Sequence, residues 1–163
     1  MLRRSRRAPR NDNIQGMKKY FLIAIIVFLL SGCAQKENNL EKNKTVKING
    51  HEIAVEIADT QESQYQGLSF RKNLCADCGM LFVFKEKSEK TFIMREMNFP
   101  LDIIFINGVQ IVKIYKNLPP EGAKPKNIYA SGAPVDYVLE VSGGYADTYG
   151  IKEGNIIKFN SGQ

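Results

Sequence analysis

The chain has 163 residues, a net charge of +6 and a pI near 9.2, values that on their own indicate an acidic partner such as nucleic acid. The positive excess is confined to the beginning, because residues 1–32 carry seven Lys or Arg and one Asp, whereas residues 33–163 carry sixteen charges of each sign. A neutral remainder has no basic stripe for contacting a phosphate backbone, so the sequence argues against nucleic-acid binding.

Residues 1–16 are predicted to be an over-called extension ahead of a true start at Met17. Their Ser5-Arg6-Arg7-Ala8 segment resembles a twin-arginine signal, but Pro9-Arg10 follow where an apolar pair is expected. The very hydrophobic segment after Met17 also suits the general secretory route better.

Residues 17–32 have the order of a secretory signal peptide, with Lys18 and Lys19 ahead of an apolar run from Tyr20 to Leu30. This eleven-residue run is shorter than the ~20 residues that a helix needs to cross a membrane. It ends in Leu30-Ser31-Gly32-Cys33, which resembles the lipobox of bacterial lipoproteins. The resemblance implies that Cys33 is the lipid attachment site and the mature N-terminus.

We therefore expect an exported protein that is lipid-anchored to the cell envelope. In a cell with two membranes it would lie on the outer membrane or the periplasmic face, and in a cell with one membrane on the cell surface. Residues 33–44 are polar and charged and are predicted to form a flexible tether, because they cannot bury enough surface to offset the entropy of ordering. Residues 45–163 then form one domain of ordinary size.

The first half of this domain has mostly strand-like patterns. Asn49-Gly50 predicts a hairpin between Thr45–Ile48 and His51–Ile57, since both turn residues tolerate positive φ. A short helix follows, capped by Asp59 and ended by Gly67. The uninterrupted apolar segment Met80–Phe84 predicts a strand buried on both faces.

The second half repeats these devices. Asn107-Gly108 predicts a second hairpin, a Pro-Pro loop follows between Lys116 and Lys126, and a helix over Tyr145–Tyr149 is stopped by Gly150. Further strands are predicted at Thr91–Met94, Leu101–Ile106, Val109–Tyr115, Tyr137–Val141 and Asn155–Phe159. Short strands with regular turns predict a β-sandwich or small barrel.

Several sequence words, in order, resemble the bacterial and archaeal family known as domain of unknown function 192. They are Gly67-Leu68-Ser69-Phe70-Arg71, Gly79–Phe84, Pro100–Ile106, Asn117-Leu118-Pro119-Pro120, Tyr137–Glu140 and Gly150–Asn155. The resemblance implies a mainly β, single compact jelly-roll-like sandwich or barrel with one or two short helices, often exported and without an agreed activity. One departure is Phe92-Ile93-Met94-Arg95-Glu96, where the family commonly has Phe-Trp-Met-Lys-Asn.

Asp102 is the sharpest candidate site residue, because a carboxylate in an apolar strand needs a partner or a raised pKa. Arg71 and Arg95 are its expected partners, since a guanidinium grips a carboxylate with two hydrogen bonds. The set is either a ligand cleft edged by Pro119 and Pro120 or a buried ion pair that sets strand register. Glu140 is predicted to point outward into solvent.

Cys75 and Cys78 are predicted to form a local disulfide, as suits an oxidising compartment. Reduced thiols, a redox pair and half a zinc knuckle are the alternatives. Zinc needs four ligands, and within this domain the pair could add only the lone His51, so neither a metal nor another cofactor is predicted.

The sequence lacks a Gly-x-Ser-x-Gly elbow and a phosphate-binding glycine loop. The leading hypothesis is a non-enzymatic envelope lipoprotein whose domain binds an unknown envelope ligand or protein. The alternative is a hydrolase of envelope glycan or a related polymer that uses Asp102 and a second carboxylate, either Glu96 or Glu140.

The lipobox makes a direct prediction. Cys33→Ala removes the thiol that would be acylated, so the precursor should stay uncleaved and metabolic labelling with palmitate should disappear. Ser31→Ala, which keeps a small residue and the thiol, is the matched control and should label normally. Continued labelling of Cys33→Ala would refute the lipid anchor.

Overall fold

The computed structural model describes residues 44–160. The predicted extension, signal peptide and Cys33, with all of the tether except Lys44, lie outside these residues. The described part has nine strands and two short helices, which are β1 (Thr45–Ile48), β2 (His51–Ala58), α1 (Gln61–Gln66), β3 (Cys78–Ser88), β4 (Thr91–Phe92), β5 (Leu101–Asn107), β6 (Gln110–Leu118), β7 (Tyr129–Ala130), β8 (Val135–Ser142), α2 (Tyr145–Thr148) and β9 (Ile157–Asn160).

Seven strands form one sheet in the order β6-β5-β8-β3-β2-β1-β9, and β4 pairs with β7 in a second, two-stranded sheet. Within the large sheet β2 and β3 are parallel, and the other neighbours are antiparallel. The sheet curls until its two edge strands meet at one end, where Ile111 N–H donates to Asn155 O at 3.0 Å and Ile157 N–H donates to Val109 O at 2.8 Å. The predicted mainly β, barrel-like class with short helices is confirmed.

Both predicted hairpins are confirmed, with a small shift in the second. Asn49 and Gly50 form the first turn with φ of 50° and 88°. In the second hairpin Asn107 pairs with Gln110, so the turn residues are Gly108 and Val109.

The cap of α1 lies one residue later than predicted. The hydroxyl of Thr60, not the carboxylate of Asp59, accepts from Ser63 N–H, and Ser63 Oγ accepts from Thr60 N–H, each at 3.1 Å. This reciprocal pair is a capping box built from two hydroxyl residues. Gly67 ends the helix with φ +51°, as predicted.

The strands β3, β5 and β8 of the large sheet are buried on both faces, so the domain has two apolar cores. The inner core, inside the curl, contains Leu81, Leu139 and Val141, and α2 covers it through Tyr145 and Ala146. The outer core contains residues that alternate with these along the same strands, such as Met80, Phe82, Ile103 and Val138. The prediction that Met80–Phe84 is buried on both faces is therefore confirmed.

An aromatic layer covers the outer core. Ring contacts run from Phe82 to Phe92, Phe105, Tyr115 and Tyr129, with centroids 4.9 to 6.0 Å apart in edge-to-face arrangements. Such pairs each stabilise a core by about 0.5–1.5 kcal/mol beyond the area that they bury. Between residues 44 and 160, neither helix is long and apolar enough to cross a membrane.

Candidate functional site

A cleft of about 260 Å³ opens through the outer layer, between the end of α1 and the segment that contains β4. Most of the surface of its walls is apolar, although eight of its fifteen lining residues are polar or charged. The apolar lining residues are Leu68, Phe82, Phe84, Phe92, Ile93 and Met97, and the polar or charged ones include Tyr65, Lys90, Arg95 and Glu140.

Two loops, residues 67–72 and 93–98, are clasped together at the mouth of this cleft. Phe70 N–H donates to Glu96 O at 2.8 Å, Ser69 Oγ donates to Arg95 O at 2.9 Å and Asn98 Nδ2 donates to Arg71 O at 2.8 Å. Phe70 and Glu96 have φ of 65° and 52°, a left-handed conformation that costs a non-glycine residue about 1 kcal/mol or more. The clasp holds this strained backbone in place and leaves the Phe70 ring 64% exposed.

Arg95 is fixed at the edge of the cleft. Its Nη2 donates to Tyr65 O at 2.8 Å, and its guanidinium carbon lies 4.1 Å from the centroid of the Tyr65 ring. Lys90 places its ammonium nitrogen 4.2 Å from the centroid of the Phe84 ring. The two cations are therefore oriented by aromatic faces that also line the cleft.

Glu140 lies at the floor of the cleft, in the middle of central strand β8, beside Met80 of β3 and Ile103 of β5. It is 5% exposed, and the structure gives its carboxyl group no hydrogen-bond partner among residues 44–160. Because every fully enclosed side-chain oxygen or nitrogen in this part of the chain has a partner, the carboxyl oxygens of Glu140 must still open onto the cleft. The prediction that Glu140 is solvated was wrong, because a second apolar layer covers its face of the sheet.

Burial raises the pKa of Glu140 to about 8, and the nearby positive charge of Arg71 opposes that rise only in part. Removing a carboxylate from water disfavours its charged form. At neutral pH the floor of the cleft therefore carries a carboxylic acid, which can donate a hydrogen bond as well as accept one.

Arg71 interacts electrostatically with two acidic residues, Glu56 and Glu140. These two residues lie on either side of Met80 across neighbouring strands. Glu56 lies beside Met80 and Met80 lies beside Glu140 in the strand register. Arg71 grips Glu56 with both terminal nitrogens, Nη2 to Oε2 at 2.7 Å and Nη1 to Oε1. This hydrogen bonding raises the pKa of Arg71 and lowers that of Glu56.

Asp102 does not meet either arginine, which corrects the predicted Arg–Asp constellation. Its side chain is fully buried, and its carboxylate accepts from the backbone N–H groups of Asn117 at 2.6 Å, Gly144 at 2.9 Å and Ala146 at 2.7 Å. The reason is strand alternation. Asp102 pairs with Val141, an inner-core residue, whereas the arginines lie with Glu140 on the outer side.

Pro119 and Pro120 follow β6 and are exposed, and they do not line the cleft. The next residue, Glu121, is hydrogen-bonded to the 93–98 loop at the mouth of the cleft. Its N–H donates to Met94 O at 3.0 Å, and its O accepts from Met97 N–H at 3.3 Å. Of the predicted ligand-binding residues, Arg95 lines the cleft, whereas Arg71 is paired with Glu56 outside the lining and Asp102, Pro119 and Pro120 lie elsewhere.

Cys75 and Cys78 are joined as a disulfide whose Cα atoms lie 5.2 Å apart, at the start of β3. His51 packs its ring against Tyr149 with centroids 4.1 Å apart. In the part of the chain that the structure describes, no group of three or more His, Cys, Asp or Glu residues is placed to hold a metal.

The family model DUF192, described as "Uncharacterized ACR", matches residues 44–159. A crystal structure from Sinorhizobium meliloti 1021, described in provisional terms as a transcription regulator, is 31% identical with a TM-score of 0.67 and covers 72% of this chain and 93% of its own. A protein of unknown function from Novosphingobium aromaticivorans is 33% identical with a TM-score of 0.65, covering 70% of this chain and 83% of its own. No curated protein matches.

Asp102 gives a stability prediction. Asp102→Asn turns one acceptor oxygen into a donor that faces buried N–H groups, so the free energy of unfolding should fall by about 3 kcal/mol or more. Asp59→Asn, at an exposed carboxylate with no hydrogen bond or salt bridge to residues 44–160, is the matched control and should change it by less than about 0.5 kcal/mol. Urea unfolding followed by circular dichroism measures both, and equal midpoints would contradict the role of Asp102.

Glu140 gives a pH prediction. The folded state holds its proton up to about pH 8, whereas the unfolded chain releases it near the ordinary value, so this residue contributes a loss of stability as pH rises between the two values. Glu140→Gln does not titrate. The free energy of unfolding of Glu140→Gln relative to the wild type should therefore increase by about 2–4 kcal/mol between pH 5 and pH 9. A pH-independent difference would contradict the raised pKa.

Proposed function

Because this chain belongs to the DUF192 family, whose description assigns no activity, we propose its function from the cleft: it is a membrane-anchored envelope lipoprotein that binds a small ligand above Glu140. The lipid on Cys33 would hold the protein at the membrane, and residues 33–44 would let the domain reach its ligand. The domain acts in this proposal as a binding module and not as an enzyme.

The observation that carries the proposal is the unpartnered carboxyl group of Glu140. Three polar side chains are buried among residues 44–160, namely Asp102, Ser131 and Glu140. Asp102 and Ser131 have hydrogen-bond partners. The carboxyl oxygens of Glu140 open onto the cleft instead, so the protein leaves their hydrogen bonds to a molecule in the cleft. A ligand that hydrogen-bonds to this carboxyl group would use a polar position at the floor of an apolar site.

The composition of the cleft supports the same proposal. Aromatic and aliphatic walls with a few convergent polar groups are typical of small-molecule sites. Its volume of about 260 Å³ lies at the small end of the roughly 300–1,000 Å³ typical of ligand sites, which suits a compact ligand with one ring. Exposed apolar side chains of Tyr65 and Ile93 extend the apolar surface at the mouth.

The alternative, hydrolysis of an envelope glycan, depends on Asp102 and a second carboxylate facing each other across an open cleft. Asp102 is fully buried, its oxygens accept three backbone N–H groups, and it lies on the opposite face of the sheet from Glu140. We therefore favour binding over hydrolysis.

A ligand screen tests the proposal. The full chain, purified in detergent with its methyl groups labelled, would be titrated with a library of ring-sized metabolites and envelope sugars while the methyl resonances of Leu68 and Met97 are followed by NMR. We expect at least one compound to shift both resonances. Glu140→Leu should weaken that binding by about tenfold or more, the value of one lost hydrogen bond in an apolar site.

Glu62→Leu, which makes the same change at an exposed position on α1, is the matched control and should bind as the wild type does. If no compound shifts Leu68 or Met97, or if Glu140→Leu binds as well as the wild type, the proposed function is wrong.

A further inference from the structure

The charges at the mouth of the cleft indicate which kind of ligand it selects. Arg71 is neutralised by its salt bridge with Glu56. Lys90 and Arg95 have no acidic partner within 4.0 Å among the residues that the structure describes. Two uncompensated positive charges therefore stand at one opening, oriented by the rings of Phe84 and Tyr65. This arrangement attracts an anion and repels a cation.

The floor has the opposite character. Glu140 is enclosed by Met80, Ile103 and the aromatic wall, an environment that keeps its proton on at neutral pH. No group among residues 44–160 accepts from the O–H of this carboxylic acid, so the O–H can donate to a molecule in the cleft. The floor therefore selects a ligand group that accepts a hydrogen bond, such as a carbonyl oxygen.

We propose that the cleft binds a small organic anion with a single flat ring, its anionic group at the mouth beside Arg95 and Lys90 and a hydrogen-bond acceptor at the floor against Glu140. This inference rests on the proposed function and narrows it to one ligand class. The ring lies between the apolar side chains of the wall, where aromatic stacking adds to the area buried.

This arrangement gives the binding a defined pH dependence. The charge of Arg71, from the first loop, acts on Glu140, and Glu56 acts through Arg71. Arg95 and Lys90 from the β4 segment and Tyr65 from α1 line the same cleft. Burial raises the pKa of Glu140 to about 8, so this group changes its charge between pH 6.5 and 9.5. When it loses its proton it can no longer donate, and its charge repels both the anion and the acceptor.

Four matched probes test the inference on the full chain in detergent: 4-acetylbenzoate, its neutral amide 4-acetylbenzamide, its cationic analogue 4-acetylbenzylamine, and 4-isopropylbenzoate, which lacks the acceptor. At pH 6.5, 4-acetylbenzoate should bind about tenfold more tightly than each of the others. Its affinity should fall about tenfold or more at pH 9.5.

Two variants separate the roles of floor and mouth. Glu140→Gln keeps a donor and cannot titrate, so it should still bind 4-acetylbenzoate and lose the pH dependence. The double variant with Lys90→Gln and Arg95→Gln should bind 4-acetylbenzoate about tenfold more weakly than the wild type. Its affinity for 4-acetylbenzamide should be unchanged. The control is Lys152→Gln with Lys158→Gln, a charge change of the same size away from the cleft. It should change neither the affinity for 4-acetylbenzoate nor that for 4-acetylbenzamide.

The outcomes distinguish this inference from the proposed function. Tightest binding by the amine or the amide, equal binding by 4-isopropylbenzoate, or a Glu140→Gln variant with unchanged pH dependence would overturn the anion inference and leave a ligand site of another class. No shift at Leu68 or Met97 with these probes, beside clear shifts with other library compounds, would overturn it in the same way. No shift with probes or library would overturn both.

Discussion

The carboxylate of Asp102 joins three parts of the chain that are distant in sequence. Its oxygens accept N–H groups from Asn117 at the end of β6, from Gly144 in the turn after β8 and from Ala146 at the start of α2. The same junction admits no side chain at Gly143, whose added Cβ would lie 2.8 Å from Pro100 Cβ. Hydrogen bonds to a charged acceptor are about twice as strong as neutral ones, so this one residue fixes the start of β5 against the ends of β6 and β8.

The register set at this junction also decides what lies at the cleft. Side chains alternate between the two faces of a strand. With Asp102 and Val141 facing the inner core, Ile103 and Glu140 must face the outer layer. The two buried acidic residues of the described domain, Asp102 and Glu140, therefore differ in hydrogen bonding and in their effect on stability. One is saturated by backbone donors and stabilises the fold, whereas the other lies among apolar side chains at a cost in stability.

Much of this fold could be predicted from the sequence, because local signals specify it. The Asn49-Gly50 turn, the positive φ of Gly67 and Gly150 and the unbroken apolar strand Met80–Phe84 each depend on a few neighbouring residues, and each has its expected structural role. The pairing of β3 with both β2 and β8 has no such local signal, since strand order depends on contacts between distant segments.

The site was harder to predict, for a related reason. A period of two assigns Glu140 to one face of its strand, but it does not say whether that face meets water or a second apolar layer. The sequence indicates that Asp102 is buried, but it does not identify the partners of its carboxylate. Almost every residue carries a backbone N–H group, so the residue pattern does not show which ones lie near Asp102. The strained backbone at Phe70 and Glu96 was equally invisible, because neither residue type prefers positive φ.

The parallel pairing of β2 with β3 has a consequence for how such a domain diversifies. Parallel neighbours need a long connection that crosses the sheet, and here residues 59–77 make that crossing over the outer face. The crossing contributes α1 and Leu68 to one wall of the cleft and ends at the Cys75–Cys78 disulfide. The segment that connects the parallel strands β2 and β3 thus also forms one wall of the cleft. A change of length or sequence in residues 59–77 would therefore alter the cleft wall without requiring a change in the strand order of the curled sheet beneath.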